Sequence, residues 1–107
     1  MKINLDAKYY YIVNDDLKMS KGKIAAQVSH IAMMLGEKWG EIGRAIVLKA
    51  PQYILTDVLL SNAPDIMFIK DAGFTEVPAG SLTCVGFKDV EGIEQLKHEV
   101  ISKLKLI

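Results

Sequence analysis

Cysteine is all but missing from this chain: Cys84 is the single one among 107 residues, so no intrachain disulfide can form. A zinc site would have to gather scattered carboxylates around His30 and His98, which lack ligand spacing, and the sequence predicts neither a metal nor a cofactor. Long apolar runs are missing too. The longest, Ile31 to Leu35 and Ile66 to Ile69, fall far short of the roughly 20 residues of a membrane span. Met1 to Lys8 carries no apolar export segment or small-residue cleavage site, and the expectation is a soluble, cytoplasmic protein with no membrane partner. Excess charge of one sign is absent: 13 Lys and Arg balance 13 Asp and Glu, unlike the uniformly cationic surface of many nucleic-acid binders. No internal repeat or low-complexity tract interrupts the chain.

What is present points to a folded domain. Half of the residues are hydrophobic and 24% are charged, a balance that excludes a disordered chain. At this length one domain over residues 1–107 is expected, burying roughly two thirds of its unfolded surface. Charge is unevenly distributed: residues 1–50 hold eight Lys and Arg against five Asp and Glu, and residues 51–107 hold five against eight. One end of the molecule can therefore be basic.

Hydrophobic periodicity predicts alternating strands and helices. Lys8 to Asn14 (KYYYIVN) is aromatic and β-branched with little polar alternation, as in a strand covered on both faces. Ser20 is a candidate N-cap for a helix over Lys21 to Leu35, with Ile24, Val28, Ile31 and Leu35 on its buried stripe. Gly36 to Gly43 reads as a connection with room for one helical turn, Ala45 to Lys49 as a second strand, and Pro51 to Ser61 as a second helix. Ile66 to Lys70 and Leu82 to Phe87 are the third and fourth strands, and Val90 to Leu104 a last helix. The order predicts a four-stranded mixed sheet in an α/β domain, with parallel pairing at both helical crossovers and antiparallel pairing of the last two strands.

Two segments carry candidate chemistry. Lys18, Lys21 and Lys23 fall within six residues at the start of the first helix, where free amides and the helix dipole already favour anions. The alternative is a solvated basic turn. Ser20-Lys21-Gly22-Lys23 lacks the spacing and the Lys-Ser/Thr ending of a P-loop, which excludes a nucleoside triphosphatase of that kind. At about 100° per residue, Lys23, Gln27, His30 and Met34 share one stripe beside the apolar face; taken singly, His30 reads first as a histidine at the edge of the core bonded to backbone, a preference that its alignment with Lys23 and Gln27 narrows. The second segment, Asp71 to Ser81, is longer than a hairpin needs. Asp71-Ala72-Gly73 can be a plain turn, and Thr75 and Ser81 add hydroxyls. No Gly-x-Ser-x-Gly elbow or Cys-His pairing accompanies them, so any hydrolysis is expected to use water rather than a covalent nucleophile.

Together these strings resemble the peptidyl-tRNA hydrolases of the archaeal and eukaryotic, or second, type. The matching pieces are Asp16-Leu17-Lys18-Met19, Lys21-Gly22-Lys23-Ile24-Ala25-Ala26-Gln27 with His30, Ile46 to Pro51, Asp71-Ala72-Gly73 with Thr75, and Gly80-Ser81 with Thr83. The resemblance implies a single α/β domain with helices on both faces of a four-stranded mixed sheet, commonly a homodimer. It also implies hydrolysis of the ester between a peptide and the 3′-terminal ribose of tRNA, which frees stalled tRNA for translation. By the same resemblance Lys23, Asp71 and Thr75 are catalytic, and Lys18, Lys21, Gln27, His30, Ser81 and Thr83 bind substrate. Asn14 and Phe74 stand where the family commonly has a basic residue, Ser20 replaces a frequent Gly, and Phe87-Lys88 replaces a usual Gly-Pro. Two other classes fit the same basic junction: a non-catalytic RNA- or protein-binding module, and a regulatory dimer with an anion pocket.

Overall fold

In a computed structural model, which describes residues 1–73 and 77–107, the chain forms five strands rather than the expected four. They are β1 (Lys2–Asn14), β2 (Glu41–Ala50), β3 (Met67–Lys70), β4 (Leu82–Lys88) and β5 (Lys105–Leu106). Three helices intervene, α1 (Lys21–Trp39), α2 (Gln52–Leu60) and α3 (Glu94–Glu99), with 3-10 turns at Asp15–Leu17 and Ile101–Lys103. Among the described residues no helix is long and apolar enough to cross a membrane.

The aromatic run in β1 puts that strand in the middle of the sheet, whose order is β3-β4-β1-β2-β5. Pairing is parallel for β1 with β2 and antiparallel elsewhere. Alternate residues of β1 enter two different cores, as the period of a strand dictates. Tyr9, Tyr11 and Val13 pack with Ile31 and Leu35 of α1. Tyr10 and Ile12 pack with Leu55 and Val58 of α2 and with Phe87, Ile93 and Ile101. The helices thus cover both faces of a mixed sheet, as expected.

Several boundaries differ from the sequence reading. Helix α1 runs through Gly36 to Trp39, because one glycine inside a helix costs only about 1 kcal/mol and Leu35 and Trp39 keep the apolar spacing. Gly40 ends it instead, with a left-handed φ of 66° and an amide that donates to the Gly36 carbonyl at 2.8 Å, a helix-ending geometry that suits glycine. The β2–α2–β3 crossover joins strands of like direction that are not neighbours, since β4 and β1 lie between them; only the first crossover gives a parallel pair. The predicted helix over Val90 to Leu104 is cut to six residues. Gly92, at φ 107°, precludes a start at Val90, and beyond the 3-10 turn the tail pairs along the open edge of β2, with Leu106 opposite Leu48 and Lys105 opposite Lys49. An unpaired edge offers a row of free amides and carbonyls, which a short tail strand satisfies.

Helix α1 can sit close to the sheet because of Gly86. A Cβ there would meet Ile31 Cγ2 at 2.5 Å and Tyr11 Cδ1 at 3.0 Å. On the same face Cys84 is fully buried and loss of hydration pushes its thiol up to about 12. Ile31 is β-branched and stiff at χ1, so it has little room to yield. We expect Gly86→Ala to lower stability by roughly 1–3 kcal/mol, measured by urea denaturation. A variant as stable as the parent would contradict this close seating.

Candidate active site

Strands β1, β2 and β3 run in one direction and end at one edge, at Asn14, Ala50 and Lys70. In open α/β sheets ligands gather outside these carboxyl ends. Helix α1 starts at the same edge. Its first turn is capped by Ser20, whose hydroxyl accepts the Lys23 amide at 3.2 Å, and this fixes the direction in which Lys23 leaves the helix.

Lys23 reaches from α1 to Asp71, the residue directly after β3, and their side chains form an ion pair with 12% and 7% exposure. A pair so far removed from water is a much stronger constraint than a solvated surface pair. The two oxygens of Asp71 have separate duties. Oδ1 accepts the Gly73 amide at 2.6 Å, which is the local turn that Asp before Gly favours. Oδ2 faces Lys23 and the Gln27 side-chain amide, the latter at 3.4 Å. The backbone of Asp71 is held as well: its amide donates to the Ser81 carbonyl at 2.8 Å and its carbonyl accepts from Gly80 at 2.7 Å. The turn and the functional reading of Asp71-Ala72-Gly73 are therefore compatible. Lys23 beside it, and then the Gly73 amide, hold the Asp71 carboxyl below its ordinary range against the opposing pull of burial.

Gln27 and Thr83 lie behind the pair, buried at 4% and 0% exposure. The Thr83 hydroxyl is 2.9 Å from Gln27 Oε1 and 3.2 Å from the Ile69 carbonyl. With its oxygen held by Thr83, the Gln27 amide must present its nitrogen to Asp71. Strand alternation alone would put Thr83 and Cys84 on opposite faces. A bulge prevents this: Ile69 pairs with Cys84 and Lys70 with Leu82, leaving Thr83 unpaired, and such an extra residue re-aims a side chain.

The structure thus brings together Lys23, Gln27, Asp71 and Thr83. Ser81 borders the group through its backbone, while its hydroxyl donates to Pro78 at 2.7 Å. Lys18 and Lys21 are exposed at the helix entrance, Lys18 being 3.5 Å from Asp15. His30 is exposed two turns further along α1, and its side chain makes no hydrogen bond among the described residues. Thr75, like Phe74, lies outside the described residues. Sequence reading missed the work of Asn14, which is buried at the end of β1 and donates to Gln52 and to the Leu82 carbonyl, while its oxygen accepts the Asp16 amide. Asp16 in turn accepts the Gln52 amide at 2.8 Å and so caps α2, whose N-cap Pro51 has no side-chain group to offer. The one available signal was a lone Asn ending an apolar strand. Chemically, the cluster is an ionised carboxylate beside an ammonium, suited to orienting water and to stabilising negative charge.

Comparison with known proteins covers nearly the whole chain. A family profile described as Peptidyl-tRNA hydrolase PTH2 matches residues 7–107. The peptidyl-tRNA hydrolase of Thermococcus sibiricus is 33% identical, with 94% of this chain aligned to 97% of that protein. The peptidyl-tRNA hydrolase of Thermoplasma volcanium is 35% identical over 94% of this chain and 97% of its own. Mouse peptidyl-tRNA hydrolase 2, mitochondrial, is 35% identical over 92% of this chain and 62% of its own length.

Two expectations follow from the geometry. Thr83→Val keeps the shape but leaves the buried Gln27 oxygen without its donor, and we expect a loss of about 1–3 kcal/mol in urea denaturation; an unchanged midpoint would mean that Gln27 is held by something else. The lowered pKa of Asp71 has a definite sign for stability. Its contribution is complete above the unfolded value of about 3.9 and disappears as pH falls through the lower folded value. Carboxyl-carbon NMR should find Asp71 titrating below that range, and Lys23→Met should move it upward. A midpoint at or above the ordinary value in the parent would remove Lys23 as its partner.

Proposed function

Because the chain belongs to the peptidyl-tRNA hydrolase PTH2 family, we propose that the Lys23–Asp71 cluster is where it hydrolyses peptidyl-tRNA. The reaction is attack of water on the ester that links the peptide to the 3′-terminal ribose. The water oxygen bonds to the carbonyl carbon, the tetrahedral intermediate expels the ribose oxygen, and that oxygen takes a proton to leave free tRNA and a peptide acid. Asp71 Oδ2 holds the water. Its lowered pKa makes it a weak base but keeps it charged, so its main service is orientation, with proton transfer completed as the carbon–oxygen bond forms. Lys23 faces the negative charge that develops on the carbonyl oxygen.

Gln27 and Thr83 serve this chemistry by fixing the direction of Asp71 rather than by reaching substrate, in keeping with their burial. Thr75 is proposed to fix that water or Asp71 through its hydroxyl. Lys18 and Lys21 take phosphates, which positions the nucleic acid without reading its sequence, and Ser81 and His30 border the path of the substrate. The observation that carries the reading is the buried Lys23–Asp71 pair at the shared carboxyl edge of three strands.

Three finer statements belong to the same proposal: a homodimer, a cytoplasmic setting, and a part in rescuing stalled ribosomes. The first is supported by an exposed apolar patch, with Ile3, Met33 and Ile42 more than half exposed around a groove of about 400 Å³ at the opposite end of α1 from Lys23. Patches of this kind mark interaction sites. The other two rest on the family.

Single-turnover hydrolysis of a purified peptidyl-tRNA tests the assignment. Lys23→Ala should slow cleavage by roughly 10²–10³, the scale of one lost transition-state contact. Asp71→Asn, which retains size and hydrogen bonding but not charge, should cost about 10² or more while tRNA affinity stays near that of the parent. Either variant within a fewfold of the parent at neutral pH would overturn its role.

A further inference from the structure

The five-stranded sheet does something to charge that the sequence conceals. Lys103 and Lys105 belong to the acidic half of the chain, yet the 3-10 turn and β5 bring them to the edge of β2, where Lys105 lies directly opposite Lys49. Like charges in that register are destabilising. Lys49, Lys103 and Lys105 are all exposed, and with Asp15 they line a shallow cleft of about 360 Å³. Lys49 and Asp15 also line an adjoining cleft of about 370 Å³ together with Lys18 and Lys21. Five lysines therefore form one continuous surface.

Elsewhere Lys38, Lys88 and Lys97 each contact a carboxylate, at 3.3, 2.8 and 2.8 Å, while Lys2, Lys8 and Lys70 also enter no ion pair among the described residues but line neither of these clefts. Here, among the described residues, Lys21, Lys49, Lys103 and Lys105 enter no ion pair, and Lys18 has only the exposed contact to Asp15. The nearby Asp16 is occupied with the start of α2. The surface is thus a set of uncompensated cations held together at a cost in self-repulsion, which a polyanion would relieve.

We propose that Lys49, Lys103 and Lys105 extend the surface of Lys18 and Lys21 and carry the sugar–phosphate backbone of the tRNA, upstream of its reacting 3′ end. This rests on the hydrolase reading. The placement follows from the sheet: Asp71 directly follows β3 and Lys105 lies on β5, four strand spacings away, or roughly 19 Å at about 4.8 Å each. A group that far from the ester meets the body of the nucleic acid rather than its terminal ribose. Such contacts add affinity that is sensitive to salt and indifferent to sequence.

The test is the triple variant Lys49→Ala, Lys103→Ala, Lys105→Ala in the full chain, against full-length peptidyl-tRNA and against a peptidyl ester of a 3′-terminal trinucleotide. With full-length substrate KM should rise about tenfold or more. The slope of log affinity for deacylated tRNA against log salt should shrink by roughly two to three, near 0.9 for each phosphate released. With the trinucleotide ester KM should stay within about twofold of the parent, and a Lys-to-Arg triple should restore tRNA affinity. An unchanged salt slope and KM on full-length substrate would overturn the proposal, as would equal losses on both substrates. If the alanine triple does not fold, the glutamine triple keeps the stems and answers the same question. A parent that binds tRNA but cleaves neither substrate would sink the hydrolase reading, while the salt slope still judges the lysines.

Discussion

The ion pair between Lys23 and Asp71 ties the first turn of α1 to the end of the edge strand β3, and much of the remaining structure exists to make that contact possible. Ser20 starts the helix so that Lys23 leaves it toward β3. Gly86 lets the helix lie close. The bulge at Thr83 supplies a hydroxyl on the correct face to orient Gln27. A pair drawn from water is costly unless its remaining lone pairs are also satisfied, and Asp71 meets that condition with Gly73 and Gln27.

The features legible in the sequence were the local ones. The triple-tyrosine run announced a strand buried on both faces, and the spacing from Lys23 to Gln27 is one helical turn, so their common direction needed no tertiary knowledge. Most of what escaped was set by partners distant in the chain. Lys2 to Ala7 alternates polar and apolar residues with the period of a strand, a signal the reading from Lys8 onward passed over; this part pairs with the start of β2, across an irregular register between Ile3 and Lys8. Gly36 looked like a stop, yet the helix ends only where a left-handed position is needed, at Gly40. The last apolar series fits a helix, yet only Glu94–Glu99 forms one, and the chain beyond it turns and pairs with the open edge of β2.

The same division holds at the site. Asp71 and Lys23 were singled out from spacing and from family resemblance, and the geometry joins them. The inward direction of Thr83 depends on a bulge that spacing does not reveal. Asn14 was noted as a departure from a basic residue; its burial between β4 and α2 reflects contacts with residues 38 and 68 positions away. The molecule also separates its two charged tasks. The lysine at the reacting end is compensated and nearly buried, whereas those at the β2–β5 edge remain solvated and uncompensated.

The burial of Cys84 has a use beyond packing. A thiol pushed up to about 12 and fully buried in the cluster between α1 and the sheet is protonated and out of reach of an alkylating reagent while the fold is closed. Modification then proceeds only through states in which the helix has lifted from the sheet. Since this is the chain's single cysteine, its labelling rate is an intrinsic clock for the opening of that face, and the same shielding makes the native enzyme indifferent to oxidants that attack thiolates.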